Sequence, residues 1–169
     1  MKNKKSNLWG SNFIDIARSK GYIIKKPTSE EFKRFINFLL VGKGKNGSPQ
    51  TVKISLKPLK RKNSKQSAQK WTWVEIKTSD GKPGWLYGDS DFVVFELSNE
   101  FLFVYRKNLL DYINSSVDFD SPFVQNSWEA KYSIFQRKGK LDQITQIKIS
   151  NLKNLKNSYT WSTNDEKRD

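Results

Sequence analysis

Three short segments whose apolar residues recur at every second position constrain this chain most. Thr51–Lys57 alternates strictly, with Val52, Ile54 and Leu56 on one face and Thr51, Lys53, Ser55 and Lys57 on the other. That pattern describes a half-buried strand. Trp71–Thr78 repeats it, with Val74 and Ile76 opposite Trp73, Glu75 and Lys77, and Ile144–Ile149 repeats it late in the chain. Phe92–Leu97 and Phe101–Arg106 flank Ser98-Asn99-Glu100 as the arms of a hairpin. Lys43–Gln50 and the turn Asp80–Gly84 carry the Gly and Pro that break such runs.

Helical spacing falls between these strands. Asn12–Lys20 places Phe13, Ile14, Ile16 and Ala17 ahead of Gly21, a suitable residue for the left-handed position after a helix. Thr28 and Glu31 form a capping-box pair, and Phe32, Phe35, Ile36, Leu39 and Leu40 continue as one apolar stripe. Asn108–Ile113 and Trp128–Arg137 predict two further helices, and Leu152–Leu155 a short closing one. The expected fold class is therefore α/β (α+β): a single domain over residues 1–157, with a mixed β-sheet flanked by helices. Residues 58–70 read as a basic loop or arm and 158–169 as a polar C-terminal tail. At 169 residues the length suits one domain, and an aromatic content of 14% can supply a core although only 36% of residues are hydrophobic.

Charge is distributed in blocks. No Asp or Glu occurs from Phe32 to Val74, a stretch holding 11 Lys or Arg, whereas Glu75 to Glu100 carries six acids against Lys77 and Lys82. The formal net charge is +14. A surplus of that size implies a polyanionic partner, and a basic sweep beside an acidic cluster suits a protein that grips phosphates next to a carboxylate-lined site.

The missing residue types narrow the chemistry. With no Cys and no His there is no disulfide framework, thiolate or imidazole metal site, cysteine nucleophile or histidine-based triad. Carboxylates, Lys, Tyr, Ser and Thr remain, together with a hard cation such as Mg²⁺ or Mn²⁺. The opening MKNKKSNLWG lacks an apolar h-region, and no apolar run approaches the roughly 20 residues of a membrane span. The expectation is a soluble, cytoplasmic protein with no membrane partner, in the host cell cytoplasm if the chain is viral.

Glu75-Ile-Lys77 is the sharpest local signal. On a regular strand, residues i and i+2 point the same way, so this carboxylate and ammonium would enter one site. Such a pair suits phosphodiester hydrolysis, with Glu75 on Mg²⁺ and Lys77 positioning the attacking water. Asp89 and Asp91 share a face if Gly88–Phe92 is extended; they are candidates for the second metal-binding acid, or a polar turn before a strand. Trp85 and Tyr87 suit core packing or base stacking, and Gly84 and Gly88 serve backbone turns. Lys53, Lys57, Lys60, Arg61, Arg137 and Lys140 are the candidate phosphate contacts, the last two beside Gly139.

The run WVEIK…GKPGWLYGDSDFVVFE, the following FLFVYRKNLL and the later Ala130–Thr145 resemble a group of phage-encoded proteins with the restriction-endonuclease-like PD-(D/E)xK fold. The likeness covers roughly Glu30 to Ile149, most of the chain. It implies a nuclease core in which a sheet presents one Asp and a (D/E)-x-K pair to Mg²⁺ and the scissile phosphate. The pair is either Glu75-x-Lys77 or, one strand earlier, Thr51-Val52-Lys53; in the second register the isolated Asp falls at Asn37. In the first register the protein is a Mg²⁺- or Mn²⁺-dependent endonuclease, with Glu75, Lys77 and Asp91 catalytic and Glu75, Asp89 and Asp91 at the metal. In the second it binds nucleic acid, double-stranded DNA foremost, or a host protein, without cutting. Either is compatible with a homodimer.

Overall fold

Period-2 hydrophobicity becomes a six-stranded mixed sheet in the computed structural model, which describes residues 10–59 and 69–163. In chain order the elements are α1 (Ser11–Ser19), β1 (Ile23–Lys25), α2 (Ser29–Lys33), β2 (Phe38–Lys43), β3 (Pro49–Lys57) and β4 (Trp71–Lys77). They continue with β5 (Phe92–Glu96), β6 (Glu100–Tyr105), α3 (Arg106–Ser116), β7 (Gln143–Lys148), α4 (Ile149–Lys153) and β8 (Tyr159–Ser162). The sheet order is β1-β2-β3-β5-β6-β8, antiparallel throughout except for the parallel pair β3–β5. β4 leaves this sheet and pairs with β7 as a separate antiparallel ribbon.

Each face of the sheet builds its own core. On one side Phe13, Ile16 and Ala17 of α1 pack on Phe38, Leu40, Ile54, Leu56, Val94, Phe103 and Trp161. On the other, Val93, Phe95, Leu102 and Val104 meet Leu109 and Ile113 of α3, Val74 and Ile76 of β4, and Ile147 of β7. β5 is covered on both faces, which explains why Phe92–Phe95 is continuously apolar. This is the expected α+β domain, a mixed sheet flanked by helices.

Three expected elements are replaced. The capping box at Thr28 forms, with Glu31 N–H donating to Thr28 Oγ1 at 3.2 Å and Thr28 N–H to the Glu31 carboxylate at 2.9 Å. The helix nevertheless stops at Lys33, and Phe35 takes the left-handed conformation (φ 63°). Phe38–Lys43 is then a strand: tertiary pairing with Pro49–Lys57 overrides the helical spacing and buries Phe38 and Leu40 under α1.

Trp128–Arg137 is also not a helix. A 3-10 turn at Ser127–Glu129 leads into irregular backbone, left-handed at Tyr132 (φ 56°), that bridges to the open edge of β7, with Phe135 N–H donating to Ile144 O at 2.9 Å and Gln146 N–H to Ala130 O at 2.8 Å. Those edge groups of β7 need partners, and a helix could not supply them. Within the expected C-terminal tail, Tyr159–Ser162 is the edge strand β8. Its Trp161 is buried against Phe103, ring centroids 4.3 Å apart. The rest of that tail, 164–169, and most of the basic arm, 60–68, lie outside the described residues.

Because α1 is held by so few side chains, Phe13→Ala is expected to destabilise the fold by about 3–5 kcal/mol. Ile23→Ala, on the exposed edge strand, stays within about 0.5 kcal/mol. Urea unfolding followed by circular dichroism measures both, and equal midpoints for the two variants would show that α1 does not close the core.

Candidate functional site

Lys57 and Glu75 come within electrostatic reach of one another where the ribbon approaches the sheet. Lys53, Ser55 and Lys57 lie on one face of β3, and Ser55 and Lys57 pair with the core residues Val93 and Phe95. Lys57 Nζ sits 4.5 Å from the centroid of the Trp85 ring, which is itself set edge-on to Phe95. Trp85 reaches this position because Gly84 runs against β4. A Cβ on Gly84 would lie 2.5 Å from the carbonyl oxygen of Glu75, and Gly84 N–H donates to Ile76 O at 2.8 Å.

Burial dominates the electrostatics of the pair. It pushes the Lys57 amine down to about 8, against the opposing attraction of Glu75. It also pushes the Glu75 carboxyl up, opposed by the Trp85 backbone N–H and by the positive charges of Lys57 and Arg137, while Asp142 adds to the rise. Asp142 is fully buried and is held by Arg137 through both its side chain and its backbone N–H.

Asn37 stands immediately before β2. Its N–H donates to Ile54 O and its Oδ1 accepts Leu56 N–H, both at 2.7 Å. Continuing the β2–β3 register by one residue from Phe38↔Ile54 sets Asn37 opposite Ser55. The residues facing Asn37 on β3 are therefore Ser55-Leu56-Lys57, and not Thr51-Val52-Lys53; Thr51 is exposed opposite Val41. Ser55 Oγ is buried without a hydrogen-bond partner.

Other expected site residues are drawn elsewhere. The pairing with β7 shifts register between Glu75 and Lys77 while the burial alternation of β4 continues, and Lys77 is exposed at the strand end whereas Glu75 is half-buried within the electrostatic reach of Lys57. Asp89 accepts two hydrogen bonds from Arg34, each at 2.8 Å, which hold its carboxyl below the usual range. Asp91 Oδ2 accepts Lys53 N–H, and Asp91 N–H donates to Lys53 O, both at 2.8 Å, so this aspartate clamps β3 to the start of β5.

The remaining acids of the 75–100 cluster are engaged as well. Asp80 pairs with Lys82, Glu96 accepts Leu59 N–H at 3.1 Å, and Glu100 pairs with Lys153. Among the described residues no three acidic side chains converge to hold a metal ion. Of the expected phosphate contacts, Lys53 lies 3.8 Å from Glu31, Lys57 turns inward, Arg137 holds Asp142, and Lys140 is exposed beyond Gly139. Lys60 and Arg61 lie outside the described residues. Sequence reasoning missed Ser55, Asp142 and the Trp85 shelf under Lys57. The one available signal was that Ser55 and Lys57 share the strand face of Lys53.

No protein-family model, curated protein or solved structure matches the chain. No helix among the described residues is long and apolar enough to cross a membrane.

The depressed Lys57 amine has a stability signature. Between about pH 8 and the ordinary lysine value of 10.5, the unfolded chain holds this proton and the folded chain does not, so Lys57 makes stability rise with pH across that window. Lys57→Met removes the cost of the buried charge. It is expected to exceed wild type by about 1–2 kcal/mol at pH 7, with the gap closing toward pH 10.5. Urea titrations at several pH values read this out, and a gap independent of pH would mean that Lys57 is fully hydrated.

Proposed function

We propose that this chain is a nucleic-acid-binding protein, directed at double-stranded DNA, with a restriction-endonuclease-like sheet that holds the phosphate backbone without cutting it. The donor set at Lys57 and Glu75 carries this reading. Hydrolysis on Mg²⁺ calls for several hard, anionic oxygens around the ion. Here one carboxylate, Glu75, faces an amine. Asn37 has spent its Oδ1 on Leu56 N–H, Ser55 offers a neutral hydroxyl, and Asp142 is committed to Arg137. These residues do not fit a Mg²⁺ ion, and no step is derived through one.

The surplus of positive charge supports the polyanionic partner. The chain carries 31 Lys and Arg against 17 Asp and Glu. Of the six acids between residues 75 and 100, Asp89 draws on Arg34 and Glu75 on Lys57, while the other four are tied up in contacts that leave the side-chain cations of the 32–74 sweep alone. Lys33 is paired with Glu30, while Lys43, Lys45 and Lys70 remain exposed. Phosphates are the natural counterions for such a surface.

Fluorescence anisotropy with a labelled 20-base-pair duplex over a salt series tests binding. With about five phosphate contacts, the log–log slope is expected near −4 to −5. The same duplex, incubated with Mg²⁺ or Mn²⁺ and run on a denaturing gel, is expected to stay intact. A slope shallower than about −1 would remove nucleic acid as the partner. Metal-dependent cleavage that disappears in Glu75→Gln would restore the endonuclease reading.

A further inference from the structure

We infer that the outer face of the β4–β7 ribbon is a stacking platform for unpaired nucleotides, a second binding surface that rests on the nucleic-acid reading. β4 turns Thr72, Val74 and Ile76 into the protein and carries Trp71, Trp73 and, at the far end, the half-buried Glu75 on its other face. Both tryptophans are partly buried with an edge left to solvent, and neither belongs to either apolar core. Trp85 and Trp161, by contrast, are buried within those cores.

Each indole has its own aromatic neighbour. Tyr132 meets Trp71 edge-on at 5.9 Å between ring centroids, and Phe135 lies 6.5 Å from Trp73. Trp128, 68% exposed, comes three residues before Lys131 on the segment that borders β7. Cations are interleaved with the rings. Lys131 Nζ stands 5.1 Å over the Trp71 ring, Lys148 is opposite Trp71 across the ribbon, and exposed Lys70 precedes it. Neither Lys131 nor Lys148 is within ion-pair distance of a carboxylate among the described residues. The nearest acid on the segment, Glu129, is engaged by Asn126.

Partly exposed indoles beside ammonium groups that no carboxylate neutralises match the chemistry of a single strand. Base faces stack on the rings, and the backbone phosphates meet the lysines. Lys131 lies over the face of Trp71 on a flexible stem, so an arriving base displaces the ammonium toward the adjacent phosphate. A duplex cannot use this surface, because its base faces are already covered by their neighbours.

The test compares a 15-nucleotide oligothymidylate with a 15-base-pair duplex. Trp71→Ala and Trp73→Ala are each expected to weaken oligothymidylate binding by about 5- to 100-fold, leaving duplex affinity and its salt slope within about twofold of wild type. Trp73→Phe keeps an aromatic face and is expected to retain most of the affinity. For wild type, bound oligothymidylate is expected to protect indole emission from acrylamide quenching while bound duplex does not, a readout independent of how the variants fold. Alanine variants that melt as wild type and bind oligothymidylate as wild type would overturn the platform and leave the duplex reading standing. Equal weakening for both ligands would overturn its preference for unpaired bases. Wild type that binds neither ligand at low salt would remove the nucleic-acid reading, and the platform with it.

Discussion

The parallel pairing of β3 with β5 is the constraint on which the rest of the structure depends. Two parallel neighbours cannot be joined by a tight turn, so the chain between Lys57 and Phe92 must cross over the sheet. That crossover contains β4, which finds its hydrogen-bond partner in β7, far along the chain. Val74 and Ile76 then cover the sheet face that α1 leaves open, and Glu75 is delivered to the end of β3 beside Lys57. Asp91 fixes the crossover's return by bonding both backbone groups of Lys53, and the Arg34–Asp89 pair ties α2 to the same corner. The core, the ribbon and the polar pocket thus share one topological cause.

The chemistry of that pocket follows from desolvation. Lys57 and Glu75 attract one another, yet each shifts toward its neutral form, so burial outweighs the attraction. Trp85 offsets part of the cost with its ring under the ammonium and its backbone N–H toward the carboxylate. A glycine at position 84 is needed for that approach, since any Cβ there would collide with the Glu75 backbone. The acids that look clustered along the chain disperse in space because each satisfies a separate neighbour. A site with one half-buried carboxylate, one amine and two neutral side chains lacks the several anionic oxygens that assemble around a hard cation.

Much of the architecture is legible in the sequence. The strands at Thr51–Lys57, Trp71–Lys77 and Gln143–Lys148, the β5–β6 hairpin, α1 and the Thr28–Glu31 capping box all follow from local spacing, which acts wherever the segment ends up. The failures lie where an apolar run could serve two periods. Phe35, Ile36, Leu39 and Leu40 fit a helix, but edge pairing with β3 made Phe38–Lys43 a strand; Tyr132–Phe135 was likewise taken by the free edge of β7.

Sequence by itself determined the side-chain chemistry at hand, the charge and the strand pattern: no thiol or imidazole, a net charge of +14, and a sheet built from alternating and continuous apolar segments. Only the tertiary structure decided which charges share a site. Glu75 and Lys77 are two residues apart on β4, yet Lys77 is exposed at its end and Glu75 is half-buried, while Lys57 and Glu75, eighteen residues apart, are brought into electrostatic reach by the crossover. Residue spacing encodes direction along one strand, whereas the meeting of side chains on different strands depends on register, bulges and long-range pairing. Those are settled by the free energy of the whole fold.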